Sequence, residues 1–246
     1  MEREDRATVG TFHAPGPWSE RVELGEAAAH HAHVKRLAVG DIVQLSSGAG
    51  RRVTGAIVEL AKRTLIVSID MTSVEDVPAP PAIELWVPIG DRDRMLLLAE
   101  KSVELGATVW QPVLYARSRS VSPRGEGEAF HARVRLRMIS ALEQCGTAWL
   151  PEVRAGITLE GAFGADAGVQ PDCRLLLDAA GDPIADVARA GVDRVRIALG
   201  PEGGLNAEEC KRFAQAGWRG VSLGSNVLRF ETAGIAALAI VGSILR

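Results

Sequence analysis

The 246-residue chain is 47 % apolar and 24 % charged, with a formal net charge of −3. These proportions are ordinary for a soluble globular protein of one large domain or two modest ones. The slightly acidic balance excludes a global attraction to nucleic acid, so any RNA or DNA contact has to come from local basic patches.

The start of the chain, Met1-Glu2-Arg3-Glu4-Asp5-Arg6, is charged and lacks the apolar core of a signal peptide. Cys145, Cys173 and Cys210 lie far apart, which points to a reducing compartment and to no zinc knuckle. The expected location is therefore cytoplasmic.

Short alternating segments follow. One helix is expected over Gly25–Leu37, and strands over Asp41–Leu45, Arg52–Val58 and Thr64–Ile69, with turn residues such as Ser46-Ser47-Gly48-Ala49-Gly50 between them. The pattern suggests a small antiparallel barrel. His30, His31 and His33 cluster on the helix, but only His30 and His33 share a face. No carboxylate or cysteine stands at ligand spacing, so no metal is expected. A solvated face fits, as does one turned to RNA together with Lys35 and Arg36.

Composition breaks at Val77-Pro78-Ala79-Pro80-Pro81-Ala82, where the prolines favour extended chain. Domains are accordingly expected over 1–76 and 77–246. Beyond the break, strands and helices alternate: strand Ile83–Val87, helix Arg94–Leu105, strand Val109–Leu114, helix Phe130–Gln144, strand Arg174–Leu177, strand Val195–Leu199, helix Asn206–Ala216 and strand Val221–Leu223. Such alternation predicts an α/β domain with a mostly parallel sheet. The final apolar run, Ala233–Leu245, is shorter than the roughly 20 residues that span a bilayer, so it reads as a buried helix and no membrane partner is expected. Arg117, Arg119 and Arg124, with Arg133, Arg135 and Arg137, form the clearest basic stretch. A solvated helix face explains part of it, and phosphate contact explains the missing acidic alternation.

Two loops carry the chemistry. Gly200-Pro201-Glu202-Gly203-Gly204 follows one strand, and Leu223-Gly224-Ser225-Asn226-Val227-Leu228-Arg229 follows another. The first alone is equally a tight strand-to-helix turn. It is neither GxGxxG nor a Walker A loop, which weakens any dinucleotide or triphosphate reading. A third strand end, Leu177, runs into Asp178-Ala179-Ala180-Gly181. Three such ends in a parallel sheet could cradle a flat adenine and a polar tail. Asn206 with Glu209 forms a capping-box pattern behind the first loop. Arg229 and Glu231 are charges in an apolar context and are expected to meet each other or a ligand. Thr232 is placed to cap the last helix.

Together, Gly200-Pro201-Glu202-Gly203-Gly204-Leu205 and Leu223-Gly224…Val227-Leu228-Arg229-Phe230-Glu231-Thr232-Ala233 resemble the SPOUT methyltransferases, specifically the RsmE family. His30-His31-Ala32-His33-Val34-Lys35-Arg36-Leu37 with Val39-Gly40-Asp41 is similar to the entry of that family's PUA-like domain. Asp93-Arg94-Met95, Glu100-Lys101, Glu104-Leu105-Gly106, Arg117-Ser118, Glu143-Gln144-Cys145-Gly146 and Pro151-Glu152 extend the likeness over nearly the whole chain. Departures are Asp91 for the family's Lys, Ala116 for its Glu, and Cys145 and Thr147 in its Gln-Ser-Gly-Arg run.

The resemblance implies a SPOUT-type α/β domain with a C-terminal trefoil knot, an N-terminal PUA-like RNA-binding β-barrel, and a homodimer. It implies methylation of uridine N3 in 16S ribosomal RNA, free or within the small subunit. S-adenosylmethionine would be held by Leu177, Leu199, Gly200, Pro201, Glu202, Gly203, Leu223, Gly224, Val227, Leu228, Thr232 and Ala233. Arg229 and Glu231 would act in catalysis, and Lys35, Arg36, Arg94, Arg117, Arg119 and Gln144 would contact RNA. Action on another RNA, or a non-catalytic role in ribosome assembly, are the alternatives.

Overall fold

The computed structural model describes residues 10–118, 127–165, 173–188 and 191–245. The chain divides into two compact units. One comprises 1–79 with 139–150, the other 80–138 with 151–246. The first boundary falls within the proline-rich stretch. The return of residues 139–150 to the first unit departs from the two consecutive domains expected.

In the first unit the elements are β1 (Thr11–His13), β2 (Arg21–Leu24), α1 (Glu26–Val34), β3 (Ile42–Ser46), β4 (Arg51–Leu60), β5 (Leu65–Ile69) and β6 (Glu75–Asp76). The sheet order is β1-β3-β4-β5-β2, with β6 beside β4. The three expected strands, β3, β4 and β5, pair antiparallel, as do β2 with β5 and β6 with β4, while β1, which the sequence did not mark, runs parallel to β3. Strand alternation builds the core: Leu65, Val67 and Ile69 point inward along β5 and meet Phe12, Val43, Leu45, Val53 and Ile57. Ala29 and Ala32 of α1 lie against the same core.

Residues 139–150 complete this unit through backbone groups. Ser46 Oγ donates to the Thr147 carbonyl (2.9 Å), Gln44 Nε2 to that of Gly146 (3.2 Å), and Gly50 N to that of Ala148 (2.9 Å). Glu143 accepts from His13 N (3.0 Å) and lies 3.4 Å from His31 Nδ1. Trp149 Nε1 donates to the carbonyls of Val77 (3.2 Å) and Pro78 (3.1 Å). Among these residues Ser46 is fully buried, so its hydroxyl has to find such a partner.

The second unit holds β7 (Ala82–Pro88), α2 (Arg92–Glu104), β8 (Val109–Leu114), most of α3 (Glu128–Cys145), β9 (Glu152–Val153), β10 (Ile157–Thr158), α4 (Leu159–Ala165), β11 (Cys173–Pro183), α5 (Ile184–Val187), β12 (Arg194–Ala198), α6 (Ala207–Gln215), β13 (Arg219–Ser222) and α7 (Phe230–Ile244). Its sheet order is β10-β8-β7-β12-β11-β13, with β9 beside β8, and every pair is parallel. Parallel strands are covered on both faces, hence the largely buried β7 and β12, whose apolar runs are interrupted within the sheet by Glu84 and Arg196. Trp86, Phe163, Phe213 and Trp218 form an aromatic cluster, with ring centroids of Trp86 and Trp218 4.8 Å apart. Arg196, 6 % exposed within β12, donates to Glu84 at 2.9 Å, which satisfies a charge the apolar pattern leaves unexplained.

β11 is longer than expected. Val221 of β13 registers with Leu177 and again with Asp182, so residues 178–181 bulge out between two pairings. At the second pairing the backbones are so close that a Cβ on Gly181 would fall inside the Gly220–Val221 peptide. Only glycine fits there.

Candidate functional site

The order β12-β11-β13 brings the three predicted strand ends side by side. Leu199, Leu177 and Leu223 open into one cavity of about 610 Å³. That lies within the range of small-molecule sites. Of the residues assigned to a cofactor, Leu177, Leu199, Gly200, Pro201, Glu202, Leu223, Gly224, Val227, Leu228 and Ala233 line it, while Gly203 and Thr232 do not. Asp178, Ala179, Gly204, Leu205, Asn226 and Phe230, within the segments singled out from the sequence but not themselves assigned, line it too, and sequence reasoning missed Cys210. Cys210 had a signal in hindsight of geometry: it stands in the first turn of α6, directly behind the glycine loop.

Local chemistry holds the first loop. The capping box is present: Asn206 Oδ1 accepts from Glu209 N and Glu209 Oε2 from Asn206 N, both at 2.8 Å. Glu209 Oε1 also accepts from Ala116 N at 2.8 Å, so Ala116 contributes its backbone here. In the second loop Gly224 has φ +139°, open only to glycine, and this turns the chain away from β13. The N-cap of α7 is Arg229, without a side-chain cap bond, and Thr232 is an exposed residue of the helix's first turn. The capping role expected of Thr232 is thereby corrected.

Arg229 lines the cavity and is exposed, and among the described residues no hydrogen bond or ion pair holds its guanidinium. Glu231 is 5 % exposed and does not line the cavity. Its Oε1 lies 3.8 Å from Arg94 Nε, and its Oε2 is buried without a partner among the described residues. Arg94 itself lines the cavity and its Nη1 donates to Glu202 Oε1. Of the two outcomes expected for these charges, a mutual Arg229–Glu231 pair does not form among the described residues, and Glu231 faces Arg94 instead.

The residues expected at RNA spread over both units. Lys35 and Arg36 are exposed at the end of α1, where Arg36 adopts φ +58°. Gln144 is exposed in the last turn of α3, in the first unit. Arg117 Nη1 lies 3.4 Å from the Gly203 carbonyl, against the cavity loop. Arg119 and Arg124 lie outside the described residues. Arg133, Arg135 and Arg137 are exposed on α3, and Arg137 is 3.4 Å from Glu100. The departures at Asp91 and Thr147 have local work: Asp91 caps α2 by accepting from Arg94 N (3.0 Å), and Thr147 Oγ1 accepts from Trp149 N (3.4 Å). Among the described residues no cluster of three metal-ligating side chains occurs, and no helix is long and apolar enough to cross a membrane.

Tyr115, 3 % exposed and stacked near Phe213, has a buried hydroxyl without a hydrogen-bond partner among the described residues. Burial, then the Glu209 charge, push its pKa up, so the phenol stays neutral. Tyr115→Phe is expected to leave stability unchanged or raise it by about 1 kcal/mol, because an unsatisfied hydroxyl costs free energy. A urea midpoint that falls on this substitution would show that the hydroxyl has a partner.

Residues 78–242 match the family model described as RNA methyltransferase domain, and residues 24–70 match the one described as RNA methyltransferase PUA domain. Ribosomal RNA small subunit methyltransferase E of Synechocystis is 28 % identical over 228 residues, covering 91 % of this chain and 73 % of that protein. Its namesake from Mycobacterium bovis is 27 % identical, covering 89 % and 84 %. The Neisseria gonorrhoeae ribosomal RNA small subunit methyltransferase E, solved bound to S-adenosyl methionine, superposes with a TM-score of 0.84 at 28 % identity, covering 96 % of this chain and 98 % of that one. A putative methyltransferase from Legionella pneumophila, solved with its cofactor SAM, gives 0.82 at 27 % identity, covering 96 % and 98 %.

Proposed function

This chain belongs to the RNA methyltransferase domain family, and from that membership we propose that it methylates N3 of a uridine in 16S ribosomal RNA with S-adenosylmethionine. The observation that carries the reading is the cavity at three adjacent parallel strand ends, bordered by a guanidinium with no protein partner among the described residues. Its volume and its lining of leucines and glycines with a few polar and charged groups fit an adenosyl group with a short polar tail. Leu177, Leu199–Glu202, Leu223, Gly224, Val227, Leu228 and Ala233, which line it, would hold it. When bound, this cofactor supplies a methyl group on a positively charged sulfur.

The protein's part is alignment and charge. Fixing the uracil in line with that methyl is a proximity effect worth several kcal/mol. Uracil N3 has to pass its proton to a base, solvent water or a carboxylate, before it attacks, and negative charge then grows on O2 and O4. Arg229 is the group that stabilises it. Glu231 acts at one remove, through the cation beside it. The target base has to be splayed out of any stack to expose N3. Lys35, Arg36, Gln144, Arg117 and Arg119 are the basic and polar residues assigned to RNA, by shape and phosphate rather than by base edges.

Two further elements complete the proposal. Val227 is 88 % exposed at the cavity rim, and burying it against a second copy of the chain favours a homodimer. The C-terminal chain is taken to form a trefoil knot, and the protein to work in the cytoplasm on ribosomal RNA or the small subunit. Asp91 and Thr147, two of the departures from the family pattern, take part in local hydrogen bonds of their own.

Mass spectrometry of 16S ribosomal RNA nucleosides from a strain lacking the protein tests the reading. Loss of one 3-methyluridine, restored by the gene, is expected. Unchanged 3-methyluridine with another modification missing would transfer the activity to that site, and unchanged modification together with no calorimetric binding of S-adenosylmethionine would favour the assembly factor.

A further inference from the structure

We propose that Arg94 is a positioning residue that ties the cavity's two loops together by bridging Glu202 and Glu231. The inference rests on the assignment of this cavity to S-adenosylmethionine, and it changes the role that the sequence suggested for Arg94.

The bridge follows from where the three residues stand. Glu202 belongs to the loop after β12. Glu231 lies in the first turn of α7, immediately after the loop that follows β13. Arg94 lies in the first turn of α2, whose backbone is fixed by the Asp91 cap. α2 also packs closely on α7, since a Cβ on Gly234 would press into Leu98. From this base Nη1 of Arg94 donates to Glu202 while Nε faces Glu231 at 3.8 Å. One side chain thus reaches both walls of the cavity.

Magnitudes favour a real constraint. The side chains of Arg94, Glu202 and Glu231 are 29 %, 23 % and 7 % exposed, so these charges are screened less than a surface pair. Among the described residues Arg94 is the only cation within ion-pair distance of Glu231. A buried carboxylate that loses its cation is strongly unfavourable, and the structure relieves it by moving. A guanidinium presents separate donors on a planar fork, whereas an ammonium is a single point charge. Arginine can therefore serve two carboxylates at once, and lysine serves one well.

The test uses the full chain, with thermal melting to verify folding. Hydrogen exchange is measured first without ligand. Arg94→Met is expected to speed exchange of the amides at 200–205 and 230–233 by roughly tenfold, with Arg94→Lys intermediate. Arg94→Met with Glu231→Gln should recover part of the protection, because the orphaned charge is gone. Calorimetry should then show S-adenosylmethionine and S-adenosylhomocysteine weakened alike, by roughly tenfold. Unchanged loop exchange would overturn the bridge. So would a loss confined to RNA affinity, or tighter S-adenosylmethionine relative to its uncharged product, which would mark a pure charge effect. If the unaltered chain binds neither cofactor while the loops still respond to Arg94→Met, the bridge stands and the cofactor assignment falls.

Discussion

Arg229→Ala is expected to lower the rate of methyl transfer by about 10²–10³-fold while the protein stays folded. The size comes from removing the cation that, in the proposed reaction, faces the negative charge growing on the uracil oxygens. Folding should survive because Arg229 is exposed and its side chain caps nothing: the α7 N-terminus has no side-chain cap bond. Cofactor affinity should change far less than rate, since the loops supply backbone and apolar contacts. Single-turnover kinetics with saturating cofactor, beside circular dichroism, separate these effects. A variant that methylates at the normal rate would remove Arg229 from the reaction.

Gly181→Ala should act on the other side of the cavity and on the fold itself. A Cβ at this position would occupy space already held by the Gly220–Val221 peptide, and backbone cannot rotate away as a side chain does. β13 would have to separate from the Asp182–Pro183 end of β11, where Val221 and Ser222 register. Overpacking of this kind costs about 1–3 kcal/mol and more when backbone has to move. In a domain of this size that corresponds to a melting temperature lower by roughly 2–12 °C. The displaced strand carries Leu223 with it, so cofactor affinity should fall in parallel. A melting curve that superposes on that of the unaltered protein would show that the two strands have room to spare.

The difference between these positions and those the sequence made plain lies in range. The strand ends at Leu177, Leu199 and Leu223 were legible because an apolar run followed by small residues is a local pattern. The Asn206–Glu209 cap was legible for the same reason, and it is present as expected. Arg94 was not legible: its carboxylate partner Glu202 lies 108 residues away, and no local spacing marks such a pair. The tail of β11 was hidden because Asp178-Ala179-Ala180-Gly181 reads as the loop it partly is, while the renewed pairing at Asp182 depends on β13. The strands β1 and β2, of 3 and 4 residues, are too short to display alternation. Residues 146–148 dock through carbonyl oxygens, which every residue type has.

That last arrangement bears on how such a protein can be inherited in pieces. A gene segment ending near Pro80 would encode the first unit without the chain that receives the Ser46 hydroxyl, the Gln44 amide and the Gly50 N–H. A catalytic half transplanted without its N-terminal companion would in turn carry residues 139–150 with no sheet to join. A single end-to-end cut therefore parts residues 139–150 from the sheet they bond to, and a transplant of either unit has to carry that helix end with the N-terminal strands.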